Sequence, residues 1–494
     1  MKLNWLFKYA VLIIILLCFI SRFPQLLSDN LILDGDETIV GLMSKHFLEL
    51  KEIPYFFYGQ SYGFSFIEVM TIRVFYSIFG VSEIAIKLAM LSLWTTGIVF
   101  FYKTLKAIGF KNNPWIPLLI TLVFIFSPSF AVWSMKARGG YLTAFALTSI
   151  ITFLLFNKKQ KSNVFASLTI GFLIILIYQS QALWLAGLIP LVAFTIYKNK
   201  DIRYGIMMLL GLTAGILFFY FLKMGLPTFW SPKILDWPLL TLKNYNSILD
   251  KMYVHFTGNY YYGEFKEAML ITKFLSIGMM FAILFSIAAG VYFLIKKKEI
   301  STVFYVTLLS VLCSIGYLLF IRGLGYRYFL PLTGFALLMI AFVINQLKHQ
   351  KTMNLLLLIW VSLGTISLYD FKNYSFENKK ALVSLVDELD KQNISHIYCG
   401  GGLLQWQIMF YSKEKTIARY KSNIDRYPEY IKAVDSTFKN DNKRTALVGY
   451  YNEGLNLSSP DFTGIKNTYF ILSPVTVNTL EERGFDLTAP ASRD

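Results

Sequence analysis

Residues 1–42 read MKLNWLFKYAVLIIILLCFISRFPQLLSDNLILDGDETIVGL. The stretch opens with an apolar run behind Lys2 and Lys8 and ends with the carboxylates Asp34, Asp36 and Glu37. The apolar run looks like a signal peptide but has no small-x-small cleavage site, and Arg22, Phe23 and Pro24 follow it directly. It reads as an uncleaved first membrane span, with an acidic loop emerging straight after it.

The rest of the chain has the composition this predicts. Of 494 residues, 55% are hydrophobic, 17% aromatic and only 16% charged, with a mean hydropathy of +0.51. A soluble protein of this size could not keep so much apolar surface from water. The net charge of +17 would suggest nucleic acid as the partner of a soluble protein. Here the cations lie between apolar runs, so no nucleic-acid partner is expected. Cys18, Cys313 and Cys399 lie far apart and have neither CxxC nor Cys/His spacing, which supports no zinc site and no disulfide framework.

A spanning helix needs about 20 mostly apolar residues, and about eleven such stretches occur. They lie near 5–22, 84–103, 115–133, 140–156, 163–179, 181–197, 203–222, 271–295, 301–321, 327–346 and 353–369. Alternate connections carry the lysines and arginines: Lys103, Lys106 and Lys111; Lys158, Lys159 and Lys161; Lys198, Lys200 and Arg203; Lys296, Lys297 and Lys298; Lys348 and Lys351. Only Asp201 and Glu299 oppose them. The positive-inside rule places these loops and the N-terminus in the cytoplasm. The outer loops 23–83 and 223–270 and the tail then face outward. The expected organisation is a membrane domain over 1–369 and an extracytoplasmic α/β domain over 370–494. In the tail, short β-rich runs (HIYCG, TALVGYY, TYFILSP) alternate with helical patterns (KKALVSLVDELDKQ, YPEYIKAVDSTF, NTLEERGF). Gly400-Gly401-Gly402 follows a strand signal but matches no nucleotide-binding loop and reads as a turn.

In the first outer loop, Asp34-x-x-Glu37 has capping-box spacing, and acidic residues favour a helix N-terminus. Equally, one of these carboxylates could be a general base, or Asp34-Gly35-Asp36 a DxD metal site. Ile39, Leu42, Met43, Phe47 and Leu50 fall near one helical face, which predicts an amphipathic helix lying on the membrane surface. Glu68 and Arg73 interrupt the next apolar run, which therefore stays at the outer surface. Glu83 and Lys87 stand at i,i+4 and are expected to pair. His255 has no partner pattern and carries no functional expectation.

DGDETIVGLMSKHFLELKEIPYFFYGQSYG (34–63) and FGVSEIAIKL (79–88) together resemble the first outer loop of C-type membrane glycosyltransferases. The resemblance is to bacterial members of the protein O-mannosyltransferase and aminoarabinose-transferase group. WSMKARGGYLTAFAL (133–147), GLGYRYFLPLTGFALL (323–338) and DRYPEYIKAVD (425–435) resemble further segments of that group. The resemblance implies the GT-C fold, with extracytoplasmic juxtamembrane helices. It also implies inverting transfer of a sugar from a polyprenyl-phosphate carrier to a glycan, lipid or protein acceptor outside the cytoplasmic membrane. Asp36 matches the acidic catalytic position, with Asp34 a neighbour. Tyr58, Gln60 and Tyr62 match the second motif, which the resemblance implies lines the acceptor and sugar pocket and which here lacks its prolines; Glu68 is a candidate for a second carboxylate in that pocket.

The leaving group would be a lipid monophosphate, which calls for cations and needs no metal or other cofactor. Arg138, Arg327, Lys136 and Arg322 lie at predicted outer ends of spans. They are candidate phosphate ligands, although such residues also simply snorkel to headgroups. Tyr253, Tyr260, Tyr261 and Tyr262 could stack on a sugar or prenyl group. Two other readings compete: a flippase for a lipid-linked sugar, and an O-antigen-polymerase-like enzyme. The first usually places its charges at the bilayer midplane in paired repeats, and here they gather at outer ends.

Overall fold

The computed structural model describes residues 8–60, 62–110, 112–157, 163–199, 201–224, 245–258, 268–296, 301–321, 323–371, 378–422, 425–451 and 462–488. It is mostly helical, with one small sheet near the C-terminus. Arg322, Tyr260, Tyr261 and Tyr262 lie outside the described residues.

Among the described residues, six helical stretches are long and apolar enough to cross a bilayer: Glu83–Ile108, Val164–Asn199, Ile202–Met224, Leu270–Ile295, Thr302–Phe320 and Tyr326–Gln346. Ile116–Ile125 with Pro128–Met135, bent by 55°, makes a seventh if counted as one span. Ala10–Leu26 and Tyr141–Phe156 are apolar but shorter. The chain is thus a multi-pass membrane protein.

Val164–Asn199 does not run on as one rod. At 1.5 Å per residue it would be about 54 Å long, well beyond a bilayer core. Its helix breaks at Gln181 (φ −154°, ψ 98°), where a short 3₁₀ turn, Ala182–Trp184, intervenes. Before the break, Leu168 and Gly171 meet Met208 and Gly211, Ile175 meets Gly215 further on, and Gln179 meets Lys223 further still. Val164–Gln181 and Ile202–Met224 are therefore parallel, and Leu185–Asn199 must return between them.

The 55° bend has a local cause. Pro128 disfavours helix at Ser127, so the carbonyls near the break lose their helical partners. Arg22, fully buried, donates to Ile125 O at 3.0 Å, Phe130 O at 3.3 Å and Ser134 Oγ at 2.7 Å. Its guanidinium lies over the Trp94 ring. A cation here is tolerated because the freed backbone satisfies it.

The C-terminal unit is a five-stranded sheet of order β2-β1-β3-β5-β4, with β1 His396–Cys399, β2 Ile417–Arg419, β3 Thr445–Tyr450, β4 Phe462–Ile465 and β5 Tyr469–Leu472. β1 runs parallel to β2 and β3, whereas β5 is antiparallel to β3 and β4. Helices Lys379–Lys391 and Pro428–Asn440 each turn an apolar stripe inward, Leu382, Leu385 and Leu389 on the first and Ile431 and Val434 on the second. The three strands and three helices expected from the tail sequence are all present. β2, β4 and the buried helix Leu404–Tyr411 were not expected.

The helix of the acidic loop, Gly35–Leu48, departs from expectation. It is not open on one side as a single apolar face would leave it: every residue from Glu37 to Phe47 is buried. One side packs on Phe66–Phe79 and meets Ile86 and Lys87 of Glu83–Ile108, the other packs on Leu404–Tyr411 of the C-terminal unit. A Cβ on Gly35 would lie 2.6 Å from Leu403 Cβ, and one on Gly41 would lie 2.8 Å from both Phe410 and Ile86. The expected apolar face is real, but a second one is covered by the tail. Leu50, assigned to that face, stands exposed beyond the helix end.

Candidate active site

The capping box forms as its spacing predicts. Asp34 Oδ1 accepts from Glu37 N–H at 2.9 Å, and Glu37 Oε2 accepts from Asp34 N–H at 3.3 Å. Asp34 Oδ2 is taken by the Lys136 ammonium. Burial works against the Asp34 charge, but Lys136, Arg138 and these hydrogen bonds outweigh it and hold the carboxyl well below the usual carboxylate range. Glu37, only 1% exposed, pairs through Oε1 with Lys87 and lies 3.7 Å from Lys136 through Oε2. The expected Glu83–Lys87 pair does not form, because Lys87 turns inward to Glu37 and Glu83 pairs with Lys379 of the C-terminal unit.

Asp36 is different. Its Oδ2 meets Arg138 Nη2 at 2.6 Å, and its side chain is 17% exposed. Among the described residues no hydrogen bond reaches its Oδ1. Of the three carboxylates, Asp34 and Glu37 are committed to the helix cap and to lysines, and Asp36 alone keeps an oxygen without a protein partner. Lys136, a candidate phosphate ligand, is buried against Asp34 and Glu37 and belongs to that frame.

Arg138 sits on a turn built for it. Gly139 (φ +56°) and Gly140 (φ +90°) reverse the chain before helix Tyr141–Phe156. A Cβ on Gly140 would come within 2.9 Å of Phe64 O and of Ser180 Cβ. Glu68, fully buried, lies at this helix N-terminus, where Leu142 N–H donates to it at 3.3 Å. Burial raises its carboxyl to about 7, against the pull of the Gly140, Leu142, Thr143 and Arg138 N–H groups. Glu68 is thus a cap, and the acceptor-pocket role expected for it does not fit its burial.

The 56–64 loop packs on this turn. Gly63 faces Gly139 O, and Phe64 N–H donates to Gln179 O at 2.9 Å. Gln60, half-buried, holds the loop through its N–H to Phe57 O at 3.0 Å. Tyr62 is 38% exposed. Burial raises its phenol, Arg426 and Arg327 pull it back, and Asp36 is among the charges acting on it. Arg327, on the 3₁₀ turn Tyr326–Phe329, lies over Tyr141 at 6.0 Å and Tyr328 at 5.5 Å. Asp36, Arg138, Arg327 and Tyr62 therefore share one neighbourhood at the ends of several helices. His255 is buried nearby, at 3.3 Å from Thr333 Oγ1 and stacked on Phe329, and burial pushes it down to about 3.

Tyr58 does not line this neighbourhood. Its hydroxyl accepts from His46 Nδ1 at 2.7 Å and donates to Glu52. His46 Nε2 meets Glu414 Oε1 at 2.8 Å, and Glu414 also takes Lys45 and the Tyr430 hydroxyl. With Tyr58 donating onward and Glu414 accepting, the contacts suit a His46 ring that carries hydrogen on both nitrogens. Burial opposes its charge, but Glu414 and Glu52 raise it; Glu414 in turn is held well below the carboxylate range, its burial outweighed by His46, Lys45 and Tyr430. Lys413 and Glu414 adopt φ +55° and +63°, a conformation side chains rarely take, and this aims Glu414 at the loop helix. No motif marks His46 or Glu414 as partners; they lie 368 residues apart.

No cluster of three or more His, Cys, Asp or Glu able to hold a metal occurs among the described residues. The two DxD carboxylates each turn to a different cation.

The helical membrane region, the acidic juxtamembrane loop and the C-terminal unit packed on it together form the GT-C fold of polytopic membrane glycosyltransferases. Among solved structures, the chain is similar to ArnT, an aminoarabinose transferase from Cupriavidus metallidurans, bound to undecaprenyl phosphate. The TM-score is 0.61 at 11% identity, over 97% of this chain and 99% of that one. The apo state of the same protein gives 0.59 at 10% identity, over 96% and 99%. An Archaeoglobus fulgidus oligosaccharyltransferase tethered to an acceptor peptide gives 0.50 at 11% identity, over 91% and 70%. No protein-family model and no curated protein matches the sequence. At these identities the likeness is one of fold.

Proposed function

We propose that this protein is an inverting glycosyltransferase that moves a sugar from a polyprenyl-phosphate carrier to an acceptor hydroxyl. The observation that carries the reading is Asp36: a partly exposed carboxylate, set by a helix cap beside Arg138, with one oxygen open. The hydroxyl oxygen of the acceptor attacks the anomeric carbon opposite the phosphate, and its proton passes to Asp36. The anomeric carbon–oxygen bond breaks and its electron pair stays on the phosphate. Arg138 and Arg327 face that growing charge, a contact suited to guanidinium groups. In the resting protein Arg138 holds Asp36 in place; an arriving phosphate would share Arg138. The fold's likeness to a protein bound to undecaprenyl phosphate supports a carrier of that chemistry. The acceptor is a glycan, lipid or protein bearing a hydroxyl. The reading sets the chain in the cytoplasmic membrane with its N-terminus inside and its C-terminal unit outside.

The test follows release of undecaprenyl phosphate from a panel of undecaprenyl-phosphate sugars, with cell-envelope extract supplying acceptors. Asp36→Asn should abolish release while leaving expression and folding intact. Wild-type turnover in that variant would remove Asp36 from the mechanism. Movement of lipid-linked sugar across liposomes without any release would favour a flippase.

A further inference from the structure

The C-terminal unit reaches the same neighbourhood through Arg426. Arg426 stands on the segment before helix Pro428–Asn440. Its Nη1 donates to Tyr58 O at 3.1 Å, and its guanidinium lies 5.0 Å from the centre of the Phe57 ring. Its backbone rests on Gly59, where a Cβ would come within 2.8 Å of Arg426 Cα, so the loop's glycine admits the contact. Among the described residues Arg426 forms no ion pair. The adjacent Asp425 is engaged elsewhere, by Gln405 at 3.1 Å and by Tyr427 N–H at 3.0 Å.

The 57–63 loop thus has two anchored ends. Arg426 holds Phe57 to Gly59. At the other end Gly63 abuts Gly139, next to Tyr141, over which Arg327 lies. Tyr62, between these ends, has the two guanidinium groups as its cationic neighbours. The lysines nearby, Lys87 and Lys136, and Arg138 are each matched with a carboxylate.

We propose that Arg426, supplied by the C-terminal unit, binds the carrier phosphate together with Arg327, forming a two-guanidinium clamp across the 57–63 loop. This rests on the glycosyltransferase reading above. The charge balance of that reaction gives the clamp its purpose. The donor is a phosphodiester with one negative charge. When the sugar leaves, the carrier becomes a phosphomonoester of about −1.5 to −2 at pH 7. A guanidinium beyond Arg138 and Arg327 favours the species with the extra charge, and hence the transition state leading to it, over the bound donor. The C-terminal unit is then a wall of the reaction chamber and not only a cover.

The experiment uses the full-length protein in nanodiscs and two probes, undecaprenyl phosphate and its methyl diester. Arg426→Gln keeps a donor for Tyr58 O but removes the charge. It should weaken undecaprenyl phosphate about tenfold and the diester about threefold or less, as expected for a lost charge-assisted contact. Unchanged affinity for undecaprenyl phosphate, or an equal loss for both probes, overturns the clamp. A wild-type protein that binds neither probe instead overturns the glycosyltransferase reading, and the clamp falls with it. A second measurement needs no variant: undecaprenyl phosphate should shield Arg426 of the wild type from phenylglyoxal, read by peptide mass spectrometry. Equal labelling with and without the lipid contradicts the proposal.

Discussion

Replacing Glu414 by Gln tests whether the C-terminal unit is clasped to the acidic loop by charge. Glu414 takes Lys45 on one oxygen and His46 and Tyr430 on the other, and its side chain is 9% exposed. Removing one partner of a buried pair typically costs about 3–5 kcal/mol. The lower end applies here, because Lys45 keeps Glu49 at 2.8 Å and His46 can shed its proton. About 3 kcal/mol corresponds to an apparent melting shift of roughly 6–12 °C in a domain of moderate size. The pH dependence is more diagnostic. Glu414, depressed on folding, stabilises above its ordinary value of 4.5 and loses this only as pH falls through its much lower folded value. His46, raised on folding, stabilises fully below 6.5 and loses this as pH rises through its folded value. The clasp is therefore strongest between about 4.5 and 6.5 and weakens on the alkaline side. Differential scanning fluorimetry of the detergent-solubilised protein across pH 5–9, with limited proteolysis of the tail, reads both effects. The wild type should lose stability above pH 6.5 and the Gln variant should lie lower and flatter. Equal melting temperatures and parallel pH curves would refute the clasp.

Lys87→Met should leave buried Glu37 with only the longer Lys136 contact at 3.7 Å and cost about 3 kcal/mol, while adding Glu37→Gln should recover most of it; thermal melts of the single and double variants decide. Gly140→Ala forces a φ of +90° and a contact at 2.9 Å with Phe64 O, so it should cost about 1–3 kcal/mol and lower activity by displacing Arg138. EDTA should leave carrier release unchanged; loss restored by Mg²⁺ or Mn²⁺ would revive the DxD reading of Asp34 and Asp36.

Local chemistry was the legible part of the sequence. The cap of Asp34 and Glu37 depends on four consecutive residues, and spacing reveals it. β1, β3 and β5 are apolar runs bounded by turn residues, and they too can be read locally. The second apolar side of Gly35–Leu48 was not legible because it meets Leu404–Tyr411, far along the chain, and periodicity cannot say what covers a face. Glu83 and Lys87 looked like a pair because they share a helix face, yet each found a stronger partner in tertiary space. Glu68 looked like chemistry in an apolar run, but the N-terminus of another helix was what required a carboxylate there. Arg426 and Glu414 are ordinary charged residues in the sequence, and only the docking of the tail gives them a place.

The parallel pair Val164–Gln181 and Ile202–Met224 bears on how a long lipid could travel. A Cβ on Gly171 would lie 2.1 Å from Met208 O and one on Gly211 2.0 Å from Leu168 O, so the two backbones touch. Along that stretch the pair is a closed seam with no slot for a prenyl chain. Towards Gln179 and Lys223, which bridge the pair at 3.0 Å, the two helices border a groove of about 640 Å³ walled by Ile175, Tyr178, Ile216, Phe219 and Tyr220. On the glycosyltransferase reading, a prenyl chain on this flank would meet the protein at that groove, at the level where Gln179 O holds the loop that carries Tyr62.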